Sequence, residues 1–173
     1  MIADSGFVVF TDLVGFTQFT AERGDELALA LLERQDRIVR DALPAGARIV
    51  KELGDGLLLW FSGETPVLGT CLALQTRFSC ESSDDAPLWV RMGVHWGCPR
   101  RRGDDLVGHD VNLASRIADV AAPGEVLLSE AARAHTAEGD VAFEELGPVF
   151  VRGVRDPVRL FRAVGSDSGT SSR

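Results

Sequence analysis

Two acids, Asp12 and Asp55, each stand where a run of apolar residues gives way to a glycine-containing turn. Val8-Val9-Phe10-Thr11-Asp12 reads as a buried strand ending in a carboxylate, and Leu13-Val14-Gly15-Phe16-Thr17 carries the chain into a helix. Ile49 to Phe61 reads as two strands joined by a tight Asp55-Gly56 turn, because Asp-Gly between apolar runs is a strong hairpin signal. If that hairpin lies beside the first strand, two carboxylates meet next to a helix N-terminus. There Gly15, Phe16 and Thr17 offer backbone N–H groups to phosphate. Hard oxygen donors beside an anion site suit divalent cations and a nucleoside triphosphate. Each acid also has a plainer use, Asp12 as a helix cap and Asp55 as a turn former.

The stretch Asp105-Leu106-Val107-Gly108-His109-Asp110-Val111-Asn112-Leu113-Ala114-Ser115-Arg116 adds to that equipment. A helix starting near Gly108 puts Asn112 and Arg116 four residues apart on one face. An amide can hold a sugar, and a guanidinium can grip phosphate oxygens as charge builds on them. Alone, such a pair would be an ordinary solvated helix surface.

Together these motifs resemble the class III adenylyl/guanylyl cyclase catalytic domain. The resemblance rests on Phe10 to Thr17, on Lys51-Glu52-Leu53-Gly54-Asp55-Gly56, on Arg91-Met92-Gly93-Val94-His95-Trp96-Gly97 and on Asp105 to Arg116, in that order. It runs from about residue 7 to residue 163. It implies that Asp12 and Asp55, with the backbone carbonyl of Leu13, hold two divalent ions, Mg2+ or Mn2+. It further implies that Lys51 and Asp105 read the base, Asn112 orients the ribose and Arg116 stabilises the transition state. Arg152, in Val151-Arg152-Gly153-Val154, matches a basic position that touches the triphosphate; lysine is common there in the family. In the family each site is built across a dimer interface, one protomer giving the metal aspartates and the other the base-reading pair, the amide and the arginine. A single chain carrying all of them implies a homodimer with two shared active sites.

The activity so implied is adenylate cyclase, converting ATP to 3′,5′-cyclic AMP and pyrophosphate. Base polarity favours ATP: adenine presents an amino donor and a ring-nitrogen acceptor, which a carboxylate at Asp105 and an ammonium at Lys51 complement. Guanine reverses that polarity. The family's guanylyl members typically carry Glu at the position of Lys51 and a small residue such as Cys at that of Asp105. A guanylate cyclase and a catalytically inactive, cyclase-like regulatory dimer are the alternatives. A diguanylate cyclase is disfavoured because its Gly-Gly-Asp/Glu-Glu-Phe turn is replaced here by Glu52 to Gly56.

Composition agrees. A chain of 173 residues with 45% hydrophobic content supports one domain with a sizeable core. A net charge of −8 disfavours a nucleic-acid surface, and the sheet lacks the stacked aromatics of an RNA-binding face. No stretch is long and apolar enough to span a membrane, and the N-terminus lacks a signal-peptide pattern, so the expectation is a cytoplasmic protein without membrane contact. Cys71, Cys80 and Cys98 fit no zinc spacing and read as reduced.

The elements that must position these residues can be placed coarsely. Asp25 to Ala42 reads as a helix with Leu27, Leu31 and Ile38 on its apolar stripe, closed by Pro44-Ala45-Gly46. After the hairpin come a helix from about Glu64 to Ser79 and a strand from Leu88 to His95. His95 reads as a packed or hydrogen-bonded core residue, and Arg100-Arg101-Arg102 as a solvated basic turn. Beyond Arg116 a strand over Glu125 to Ser129, a helix over Glu130 to Thr136, and strands at Phe143 to Leu146, Val149 to Val151 and Val158 to Ala163 are expected. The fold class is α+β: a ferredoxin-like βαββαβ core with a C-terminal α/β extension. The domain is expected to occupy residues 1–164, with the Ser/Gly-rich segment 165–173 a disordered tail.

Overall fold

The computed structural model describes residues 4–165. The central strand β1 (Gly6–Leu13) is buried along almost its whole length, as its unbroken apolar run requires. It is followed by α1 (Phe16–Arg23), α2 (Asp25–Ala42), β2 (Ala47–Leu53), β3 (Gly56–Ser62), α3 (Val67–Glu81) and β4 (Val90–Gly97). A short hairpin, β5 (Arg100–Arg102) and β6 (Asp105–Val107), leads into α4 (His109–Val120). The chain continues through β7 (Val126–Ser129), α5 (Glu130–His135), β8 (Val141–Val149) and β9 (Val158–Gly165). Seven strands form one sheet in the order β2-β3-β1-β4-β7-β9-β8. The first four are the expected ferredoxin-like core, with β1 antiparallel to both β3 and β4.

The sheet has two unlike faces, set by side-chain alternation along each strand. On one, Phe7, Val9, Leu59 and Phe61 pack with Leu31, Ile38, Leu68 and Phe78 of α2 and α3 in a large apolar core. On the other, Val8 and Leu58 meet only a small cluster with Leu106, Val111 and Ala114, from the β5–β6 hairpin and α4. The C-terminal extension closes over Leu113 and Ile117 of α4 with Leu127, Leu160 and Val151. Among the described residues no helix is long and apolar enough to cross a membrane.

Several elements differ from expectation. The hairpin loop is Gly54-Asp55, not Asp55-Gly56: Leu53 pairs with Gly56, and Gly54 has φ 63° while among the described residues no non-glycine has a positive φ. Glycine at the first central position thus carries the backward twist, as in a II′ hairpin, and Asp55 is spared it. The buried line of α2 runs through Ala28, Leu31, Gln35 and Ile38, one residue later than Leu27, which stays 45% exposed. The two strands expected at Phe143 to Leu146 and Val149 to Val151 are one strand, β8, whose register shifts between Glu145 and Gly147. A bulge leaves Leu146 without a partner while Gly147 pairs with Leu160, and Pro148 is tolerated because β8 is a sheet edge. Gly165, expected in the disordered tail, pairs with Val141 as the end of β9; the rest of that tail lies outside the described residues.

Candidate active site

Sheet register brings the two acids together. Asp12 lies opposite Gly56 in the β1–β3 ladder, and the Leu13 N–H donates to the carbonyl of Asp55 at 3.3 Å. Burial, and then the Asp12 carboxylate, push the Asp55 carboxyl above its ordinary value, as expected where one acid is desolvated beside another. Asp12 has a charged partner of its own. In the β1–β4 ladder it stands opposite Arg91, whose Nε donates to Asp12 Oδ2 at 2.8 Å and whose Nη2 lies 2.7 Å from the same oxygen. Arg91 is a partner of Asp12 that sequence reasoning left without a role. Its signal is a lone arginine near the start of an otherwise apolar strand, but its partner becomes visible only with the register.

Burial and the neighbouring Asp12 both disfavour a charged Asp55, and a cation between the two acids would relieve that. Two carboxylates and the adjoining Leu13 carbonyl are hard oxygen donors that fit Mg2+ or Mn2+. Among the described residues no cluster of three or more His, Cys, Asp or Glu side chains exists, so water and phosphate oxygens would complete the coordination. Next to the acids, α1 opens at Gly15 (φ 77°) with no side chain capping it. The N–H groups of its first turn, at Phe16 and Thr17, therefore face no competing cap.

On the same sheet face, in β2, Lys51 stands opposite Leu58, and its Nζ donates to Asp105 Oδ2 at 2.8 Å. Each of these side chains is about one-third exposed, 33% for Lys51 and 34% for Asp105. The Lys51 ammonium is the main cause holding the Asp105 carboxyl below its usual range, and the Leu106 N–H donates to its other oxygen at 2.7 Å. Two further features tie β2 to the β5–β6 hairpin. A bulge leaves Val50 unpaired, and Val50 packs against the Leu58 and Leu106 cluster. Arg48 donates to the Asp104 carbonyl at 3.2 Å. Arg100, Arg101 and Arg102 form β5 and are exposed, a strand of that hairpin rather than a turn.

Asn112 and Arg116 lie on α4 as expected. The helix sits unusually close to the sheet: a Cβ on Gly93 would come within 2.3 Å of the Ala118 nitrogen and 2.4 Å of the Ala114 oxygen. Its first turn is tethered by Asp110, which accepts from the Cys98 N–H at 2.8 Å and lies 3.3 Å from His95 Nε2. The other ring nitrogen of His95 meets Ser129 Oγ at 2.7 Å, so His95 is the hydrogen-bonded core residue its strand position indicated. Burial is the leading cause lowering its pKa. Asn112 is exposed, and Arg116 ion-pairs at 3.2 Å with Asp119, a second residue the sequence did not single out. Among the described residues no hydrogen bond or ion pair joins Asn112 or Arg116 to Lys51 or Asp105. Arg152 is exposed in a turn, beside Val151, which is buried against the α4 cluster.

The four-strand antiparallel core, with a helix laid close over one face, is an architecture shared by other proteins. Residues 3–163 match the adenylate and guanylate cyclase catalytic domain, and the chain belongs to that family. A pH-sensitive adenylate cyclase from Mycobacterium tuberculosis is 33% identical over 169 residues, 95% of this chain and 42% of that protein. An adenylate cyclase from Streptomyces griseus is 34% identical over 126 residues, 72% of this chain and 31% of that one. The chain thus spans less than half the length of these relatives. The guanylate cyclase domain of a Catenaria anguillulae protein, solved in complex with GTP, superposes with a TM-score of 0.80 at 19% identity, covering 96% of this chain and 99% of that domain. At that identity the likeness is one of fold.

Proposed function

We propose that the chain is an adenylate cyclase catalytic domain that converts ATP to 3′,5′-cyclic AMP and pyrophosphate at two sites shared across a homodimer. The observation that carries the choice of ATP is the Lys51–Asp105 pair: an ammonium and a carboxylate side by side, each partly open to solvent. Adenine's pairing edge offers one acceptor and one donor in that order, whereas guanine would set like against like. Each mispaired polar group costs about 1–3 kcal/mol, enough to discriminate.

In the reaction the ribose O3′ forms a bond to the α-phosphorus, the bond from that phosphorus to the bridging oxygen breaks, and pyrophosphate leaves. Asn112 holds the ribose so that attack is in line. Arg116 meets the charge that builds on the α-phosphoryl oxygens, and Arg152 meets the triphosphate tail. Phe16 and Thr17 offer backbone N–H groups to the phosphates from the start of α1, with Gly15 giving the backbone room to do so. Divalent cations held by Asp12, Asp55 and the Leu13 carbonyl would acidify the attacking hydroxyl and neutralise the leaving phosphates. The thinly covered sheet face, with Asn112 exposed, supports completion of each site by a second copy. An ATP-consuming enzyme with no membrane-crossing helix among the described residues fits a cytoplasmic setting.

The test is incubation of purified protein with ATP and manganese, the product being identified by chromatography against 3′,5′- and 2′,3′-cyclic AMP standards. The expected product is the 3′,5′ isomer, formed faster than cyclic GMP is formed from GTP. Preference for GTP, or no cyclic product above the Asp55→Ala control, overturns the reading.

A further inference from the structure

Arg91 does more than pair with Asp12. While its Nε and Nη2 bind Asp12 Oδ2, its Nη1 donates to the Asp119 carbonyl at 2.8 Å, and Nη2 lies 3.9 Å from Asp119 Oδ1. The other carboxylate oxygen of Asp119 accepts from Arg116 Nη1 at 3.2 Å. One acid in the last turn of α4 therefore stands between two arginines. That position is poor for helix stability, because a carboxylate near a helix C-terminus opposes the macrodipole, and α4 has no basic residue of its own in that turn. The two arginines are what make Asp119 tolerable there.

If the proposed shared sites are accepted, on which this inference rests, the two arginines belong to different sites. Arg91 sits on Asp12 and so belongs to the site its own protomer supplies with carboxylates. Arg116 serves the site to which that protomer gives the sugar-and-transition-state set. We propose that Asp119 is a positioning residue that couples the two sites of the homodimer by holding Arg91 of one and Arg116 of the other in competition. When a triphosphate draws Arg91 away, the Asp119 carboxylate is left to Arg116 alone and keeps it from the second site. When a triphosphate draws Arg116 away, the carboxylate is left to Arg91. Either way the first nucleotide makes the second bind more weakly, and by reciprocity each site affects the other equally.

The experiment is calorimetric titration of the protein with 3′-deoxy-ATP, which lacks the attacking hydroxyl and cannot cyclise, in the presence of magnesium. The expected result is two nucleotides per dimer, the second bound about fivefold more weakly in intrinsic affinity, after the statistical factor for two equivalent sites is removed, which is the low end of typical coupling. Asp119→Asn should bring the two affinities together, and Asp119→Glu, which keeps the charge, should retain the difference. The acid is 45% exposed at its side chain, so the asparagine variant is expected to fold, with thermal melting as the check. Two equal sites in the unaltered protein, or unequal sites that persist in Asp119→Asn, overturn the coupling while leaving the cyclase reading intact. No nucleotide bound at all overturns both.

Discussion

The two faces of the sheet divide the labour of this domain. The face under α2 and α3 is a continuous apolar core in which Leu59, Phe61 and Leu68 are fully buried. The face under α4 carries Asp12, Arg91, Lys51 and, on the elements laid over it, Asp105, Asn112 and Arg116, with two smaller apolar clusters, around Leu106 and around Ile117, beneath them. The first face specifies the fold and the second holds charge in place at a cost in stability. Asp55 illustrates that cost, since its carboxyl is pushed up by burial and by Asp12. The lesson is that the site borrows its rigidity from strand register rather than from a core of its own.

The contrast can be broken most severely at the acids. Asp55→Ala should reduce cyclic AMP formation to background while leaving the thermal midpoint unchanged or slightly higher, because it removes a disfavoured carboxylate. An unaltered rate measured by product chromatography would refute the assignment. On the opposite face the effects should reverse: Leu59→Ala should cost about 2–5 kcal/mol in denaturant unfolding, as a buried large-to-small change. Asn112→Ala, at an exposed position, should leave stability within about 0.5 kcal/mol while lowering turnover.

A finer test reverses base polarity. Lys51→Glu combined with Asp105→Cys should shift the ratio of ATP to GTP turnover toward GTP by roughly tenfold or more, from the cost of mispaired polar groups. Competition between the two nucleotides at fixed manganese measures it directly.

The smallest expected effect concerns pH. Burial lowers the His95 pKa below its ordinary 6.5, with Asp110 opposing that shift and His109 adding to it. The unfolded chain therefore takes up this proton first as pH falls. The contribution of neutral His95 to stability is complete above about pH 6.5 and erodes below it, toward the lowered folded value. Thermal midpoints of the unaltered protein should fall more steeply between pH 6.5 and 5 than those of His95→Gln; parallel curves would contradict this.

What could be read from residues alone was chemistry that is local in sequence. Asp12 at a strand end, Asp55 at a hairpin tip and Asn112 and Arg116 one turn apart each follow from periodicity and turn composition. Lys51 and Asp105 were named by resemblance, and the structure adds their direct ion pair. Arg91 and Asp119 were not legible, because their partners lie across a strand pair and against a helix end, where only register and packing decide who meets whom. The same limit explains β8: Gly147-Pro148 looks like a break until the strand is known to be an edge that a bulge can cross. At the hairpin tip the neighbouring glycines gave two choices of turn, and Gly54 rather than Gly56 takes the positive φ.

Completion of each cleft by residues of two chains can be tested by mixing subunits. Asp12→Ala and Arg116→Ala proteins, each inactive alone, should recover activity when mixed and allowed to exchange subunits, because each mixed dimer then holds one intact site. Recovery approaching a quarter of the unaltered rate is the predicted result for random pairing. Mixed dimers that form and remain inactive would contradict the account.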